Sequence, residues 1–160
     1  MGTFKAFYNS YREKLFAYLM RMTGDYYLAS DITQESFTRI LSQYGKDSQS
    51  GTLLFTIARN AVLDHTRKKN RSVPLGDEKL DNTHDQEQLM LIRETYRQVL
   101  AAMQRLNKNE RDILALVVSS GLSYRDIAKM TGNSEVYVKV TVHRARTKLK
   151  LFLQGETTYE

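Results

Sequence analysis

Lys139, Val140, His143 and Arg144 recur at spacings of one, three and four, which gathers them on one face of a helix. Lysine and arginine donate to guanine edges or to phosphates, and valine can touch a thymine methyl group. Such a face could read duplex DNA. Alone, a basic amphipathic helix is equally compatible with a solvated surface. The residues before it narrow the choice. Ser134 is a good N-cap, and Glu135 complements the positive end of a helix. Upstream, Ser123 can cap a helix through Tyr124-Arg125-Asp126-Ile127-Ala128, with Asp126 three residues on as a weaker capping box. Ala128 is small enough for a close helix crossing, and Gly132 suits a left-handed helix end. In this order the features predict a helix-turn-helix whose last helix enters a major groove. Val136, Val138, Val140 and Val142 alternate and would alone suggest a β-strand. Ser134 and the continuing inward series Val138, Val142, Ala145, Leu149 and Phe152 favour the helix instead.

Two other polar stripes have spacings that could bind. Asp31, Gln34, Glu35 and Thr38 share one helical face, which read alone is an ordinary solvated surface. A later segment pairs apolar packing with Arg59, Asn60 and Asp64 and ends in the basic run Arg67, Lys68, Lys69 and Arg71. That run suits a helix carboxyl end or a phosphate backbone. Asn60 is a mildly unfavourable residue in mid-helix, so a role outside helix formation is expected.

The elements that must position these residues are helical. Phe4, Phe7, Tyr8, Tyr11, Leu15, Tyr18, Leu19 and Met22 predict a first amphipathic helix ended by Gly24. Asp25 then caps a second, with Leu28, Ile32, Phe37, Ile40 and Leu41 facing inward. A loop over 44–52 leads to a third helix over about 53–70, with Leu54, Ile57, Ala58, Ala61 and His65 on its inner side. Residues 72–86 are polar, contain the only proline (Pro74) and carry an acidic excess, so they read as a linker. Beyond them Leu89, Ile92, Tyr96, Val99, Leu100, Met103 and Leu106 predict a long helix ahead of the helix-turn-helix. The expected fold is all-α: two small helical domains, 1–71 and 87–160, joined by a flexible linker over 72–86.

A formal net charge of +6 in 160 residues favours polyanionic partners. Without cysteine, neither a disulfide framework nor a thiolate metal site can form. His65, His84 and His143 are scattered, with no nucleophile, glycine-rich phosphate loop or metal spacing beside them. Neither catalysis nor a cofactor is expected. No apolar run reaches transmembrane length, and Met1-Gly2-Thr3-Phe4-Lys5 lacks a signal-peptide profile. The expectation is a cytoplasmic protein without membrane insertion.

From about Phe4 to Leu153 the order of motifs resembles bacterial RNA polymerase sigma factors of the extracytoplasmic-function (ECF) group. Ala29-Ser30-Asp31-Ile32-Thr33-Gln34-Glu35-Ser36-Phe37 resembles the family's Ala-Glu-Asp-hydrophobic-x-Gln-Glu-x-Phe motif. Thr56-Ile57-Ala58-Arg59-Asn60, followed by Asp64 and Arg67, resembles its Ile-Ala-x-Asn segment. Leu106 with Arg111, Ser123–Ala128, Val138-Lys139 and Arg144-Ala145-Arg146 resemble its −35-reading helix-turn-helix. The resemblance implies that Asp31, Gln34, Glu35 and Thr38 bind core RNA polymerase at the β′ clamp. It implies −10 contacts by Asn60, Arg59, Arg67, Lys68 and Lys69. Tyr124, Lys139, Val140, His143, Arg144 and Arg146 would read the −35 element, with the second domain near the β flap. An anti-sigma factor is the further partner implied.

The chain departs from the family pattern in places. Leu53 stands where tryptophan is frequent, and Asp126 where glutamate is usual. Glu135, Tyr137 and Val140 replace a more common glycine, threonine and small polar residue, so the −35 preference is this chain's own. Two other classes fit the residues less well. A dimeric helix-turn-helix regulator would need a dimer face, for which only 89–106 offers a helix. A protein-binding adaptor would leave the basic faces without use.

Overall fold

The computed structural model describes residues 3–45, 49–71 and 94–155. These form seven α-helices: α1 (Thr3–Thr23), α2 (Tyr26–Arg39), α3 (Gly51–Arg71), α4 (Glu94–Arg105), α5 (Lys108–Ser119), α6 (Tyr124–Thr131) and α7 (Glu135–Leu153). The expected linker, with Leu89 and Ile92, lies outside the described residues.

The first three helices close around aromatic and aliphatic residues. Phe7, Leu15, Tyr18 and Leu19 of α1 meet Ile32 and Phe37 of α2 and Leu54, Phe55 and Ala58 of α3, all buried. Phe7 and Tyr8 approach the Phe37 ring edge-on, with centroids 5.8 and 4.7 Å away, a favoured geometry for aromatic quadrupoles. Asp25 caps α2 as expected, accepting from the Leu28 N–H at 3.1 Å. Helix α3 starts at Gly51, two residues earlier than periodicity predicts, with Ser50 Oγ accepting from the Leu53 N–H at 3.1 Å. A Cβ at Gly51 would sit 2.6 Å from the Tyr11 hydroxyl oxygen, so only glycine fits without displacing that ring.

Two inward assignments need correction. Helix α2 runs directly into a π-helical turn, Ile40–Tyr44. The wider turn changes the phase, so Ile40 stays buried while Leu41 faces solvent. On α3, His65 is exposed and Val62 fills the buried position. Phe55 is fully buried against Tyr11 and Tyr18, which makes it core.

Helices α4 to α7 form the second unit around Leu100, Met103, Leu106, Ile113, Leu116, Ile127, Val138, Val142 and Ala145. Asn107 and Glu110 make a reciprocal capping box at the start of α5. Glu110 also accepts from Lys148 Nζ at 2.8 Å, tying α5 to the distal half of α7. The guanidinium of Arg105 lies 4.1 Å from the Phe152 ring centroid, a cation–π contact across α4 and α7.

The two units share one continuous core, with α1 packed against α4 and α5. Their seam is joined by buried and partly buried polar bonds. The Tyr18 hydroxyl donates to Asp112 Oδ1 at 2.8 Å, and Arg59 Nε donates to Asp112 Oδ2 at 2.7 Å. Gln104 Nε2 donates to the Arg21 carbonyl, and Arg111 Nη1 to the Met22 carbonyl. Both acceptors lie in the last turn of α1, where carbonyls lack intrahelical partners.

Candidate nucleic-acid interface

The last helix is held for presentation at both ends of the preceding turn. Ser123 Oγ accepts from the Asp126 N–H at 3.0 Å, which starts α6. Gly132 ends it at φ +74°, a left-handed conformation that strains any residue with a Cβ. Ser134 Oγ then accepts from the Tyr137 N–H at 3.0 Å and starts α7. Val138, Val142 and Ala145 are buried against α5 and α6, so rotation of α7 about its own axis is locked. The opposite face carries Lys139, Val140, His143, Arg144 and Arg146, all exposed. Tyr124 is half-buried and packs against the core, leaving only part of its ring outward. The face is also wider than the sequence pattern suggests. Val136 is its most exposed apolar residue, at 69%. The Tyr137 hydroxyl accepts from Asn109 of α5 at the rim.

The first unit presents its residues differently. Asp31, Gln34, Glu35 and Thr38 are all exposed along α2, and Glu35 pairs with Arg39 at 2.9 Å. On α3, Asn60, Arg67, Lys68 and Lys69 are exposed. A groove of about 360 Å³ between α2 and α3 brings Asp31 and Glu35 beside Asn60, Asp64 and Lys68. The acidic stripe and the basic helix therefore share one concave surface. Arg59 stands apart from the other basic residues: its guanidinium turns away from that groove to Asp112, and its side chain is 19% exposed.

Sequence reasoning passed over the residues around Asp112. Burial, followed by the neighbouring Asp112 charge and hydrogen bond, pushes the Tyr18 phenol well above its usual value, so it stays protonated and donates. Burial lowers the Arg111 guanidinium, with Asp112 opposing the shift. Arg111 Nε is buried without an acceptor, while Nη1 and Nη2 reach the Met22 and Leu106 carbonyls. A signal existed in the sequence: Asp112 falls in helical phase with Leu116 and Ser119, an inward position where a carboxylate requires partners. Among the described residues, no three histidines or carboxylates gather as a metal site. None of the described helices is long and apolar enough to cross a membrane.

Comparison with known proteins matches this arrangement region by region. Residues 7–72 match the Sigma-70 region 2 family, and residues 96–149 match the Sigma-70 region 4 family. The chain is 30% identical over 152 residues to the ECF RNA polymerase sigma factor SigM of Bacillus subtilis (strain 168), covering 92% of this chain and 93% of that protein. It is 29% identical over 164 residues to the ECF RNA polymerase sigma factor SigX of the same organism, covering 95% and 84%. Among solved structures, the sigma factor RpoE from Bartonella quintana, crystallised with the anti-sigma factor NepR, has a similar fold. The TM-score is 0.73 at 22% identity, over 97% of this chain and 98% of that one. With both sigma-70 regions in order on an all-α scaffold and a full-length relative of this similarity, the chain belongs to the ECF RNA polymerase sigma factors.

Proposed function

We infer that this protein directs promoter-specific transcription initiation by carrying two DNA-reading units to core RNA polymerase. The observation that carries this is the pairing of a locked, basic-faced α7 with an exposed α2 stripe on a separate unit. Asp31, Gln34, Glu35 and Thr38 bind the polymerase clamp. Asn60, Arg67, Lys68 and Lys69 take the −10 strand, and Lys139, Val140, His143, Arg144 and Arg146 enter the −35 major groove with Tyr124 at its edge. The polymerase supplies the effective concentration that joins the two contacts. The protein contributes recognition only, with the chemistry left to the polymerase, and it works in the cytoplasm where that enzyme resides.

The packed arrangement of the two units is a resting form. Elements centred near −35 and −10 lie about 25 base pairs apart, or about 85 Å at about 3.4 Å per step. A compact chain of this length has a radius of gyration of about 15 Å. One packed body cannot reach both elements, so the seam opens on the polymerase. Opening frees Arg59 from Asp112 and returns it to the −10 surface of α3. An anti-sigma factor, as in the complex of the similar Bartonella quintana protein, would act by preventing that opening.

Charge reversal on α2 tests the polymerase assignment. Glu35→Arg should leave the fold intact, because Glu35 is exposed and its ion pair is with Arg39 of the same helix. It should reduce assembly with core polymerase measured by size exclusion or fluorescence titration. Unchanged assembly would remove α2 from the polymerase interface.

A further inference from the structure

Val136 and Val140 lie one helical turn apart on α7 and expose 69% and 41% of their surface. Val138 and Val142 alternate with them and are buried. The inward pair packs the helix, whereas the outward pair leaves apolar surface to solvent. Valine is also a poorer helix former than the alanine, lysine or glutamate that would serve at a solvated position. Two adjacent exposed valines are therefore costly to helix and solubility alike, unless something covers them. Their surroundings identify the cover. Lys139 lies between them, and His143 and Arg144 follow within one turn, all exposed. A small apolar pair flanked by Lys139 and Arg144 matches a major groove that presents a methyl group between phosphate-lined walls.

Resting on the −35 assignment above, we propose that Val136 and Val140 read the C5 methyl groups of two thymines in the −35 element. Val140 alone could be an incidental contact; Val136 makes it a pair with a defined separation. Four residues of helix rise about 6 Å, close to two base-pair steps of about 3.4 Å each. The two thymines therefore fall one or two steps apart, on either strand. Lysine and arginine beside them supply phosphate or guanine contacts and leave the A·T positions to the valines. The preference arises from apolar contact, so it depends on the methyl group and not on thymine's hydrogen-bonding edge.

Thymine and uracil differ at that methyl alone, which gives the test. Templates would first be recovered with the holoenzyme from a duplex library randomised across the −35 region. Each thymine of the recovered element would then be replaced by deoxyuridine. Loss of affinity should be about fourfold per contacted methyl, the equivalent of about 0.8 kcal/mol for one buried carbon. Val136→Ala should abolish the deoxyuridine effect at one position and Val140→Ala at the other, with both variants folding normally because both side chains are exposed. An element without thymine, or deoxyuridine effects that persist unchanged in both variants, overturns the proposal. So does a valine pair that alters only binding to another protein. A holoenzyme that initiates specifically but ignores deoxyuridine removes the methyl contacts and keeps the −35 assignment. A holoenzyme that recovers no element removes both.

Discussion

Asp112 joins two residues that the sequence separates by 94 and 53 positions, Tyr18 and Arg59. Its carboxylate is 6% exposed and accepts two of the polar bonds across the seam. Breaking a buried charged pair leaves the remaining group desolvated without compensation, which costs several kcal/mol. Asp112→Ala should therefore lower stability by about 3 kcal/mol, read as a fall in the urea midpoint; an unchanged midpoint would mean the pair is solvated in solution. Tyr18 supplies a pH signature. Its phenol is raised above the ordinary value near 10 by burial and by Asp112. The folded state then favours the proton, so this stabilisation is complete below about pH 10 and declines as the unfolded phenol ionises above it. Urea midpoints should fall across that window, and Tyr18→Phe should flatten the fall. These residues were poorly legible in the sequence. Tyr18 read correctly as inward, but which partner it finds depends on docking between units. The exposed faces of α2 and α7 were legible, since periodicity alone separates them from the core. His65 was not: a histidine in apolar phase near a helix end can turn to solvent at little cost.

Caps made the helices legible at the scale of elements. Asp25, Ser123 and Ser134 all accept from a backbone N–H three residues on, in the positions their types predict. Ser134 matters most, because the first turn of α7 carries Val136 and leads into Lys139. Ser134→Ala should cost about 1 kcal/mol and speed amide exchange at the start of α7, weakening −35 binding without altering polymerase assembly. Equal exchange rates in both proteins would show that packing, and not the cap, holds this turn. Periodicity failed where helical geometry changed. The π-helical turn at Ile40–Tyr44 leaves no composition mark, so periodicity alone points Leu41 inward although it is exposed. Close approach of Tyr11 to Gly51 is likewise a contact between helices that no local pattern contains.

For the whole molecule, two units and their order were legible, whereas their packing was not. The seam combines buried apolar residues with bonds to carbonyls at the end of α1, and backbone acceptors carry no sequence signature. The chain has no cysteine, so two can be introduced at exposed sites for distance labels. Labels at Asn9→Cys and Lys129→Cys, both exposed, should report one separation in the free protein and a longer one in the polymerase–promoter complex. A single unchanged separation would rule out opening. Promoter specificity is the central claim, and transcription in vitro tests it most directly: the protein is added to bacterial core polymerase with a genomic DNA library, and start sites are mapped. A sigma factor yields new, discrete start sites that share upstream elements near −35 and −10 and vanish when the protein is omitted. Absence of specific starts, with tight duplex binding by the protein alone, would contradict it.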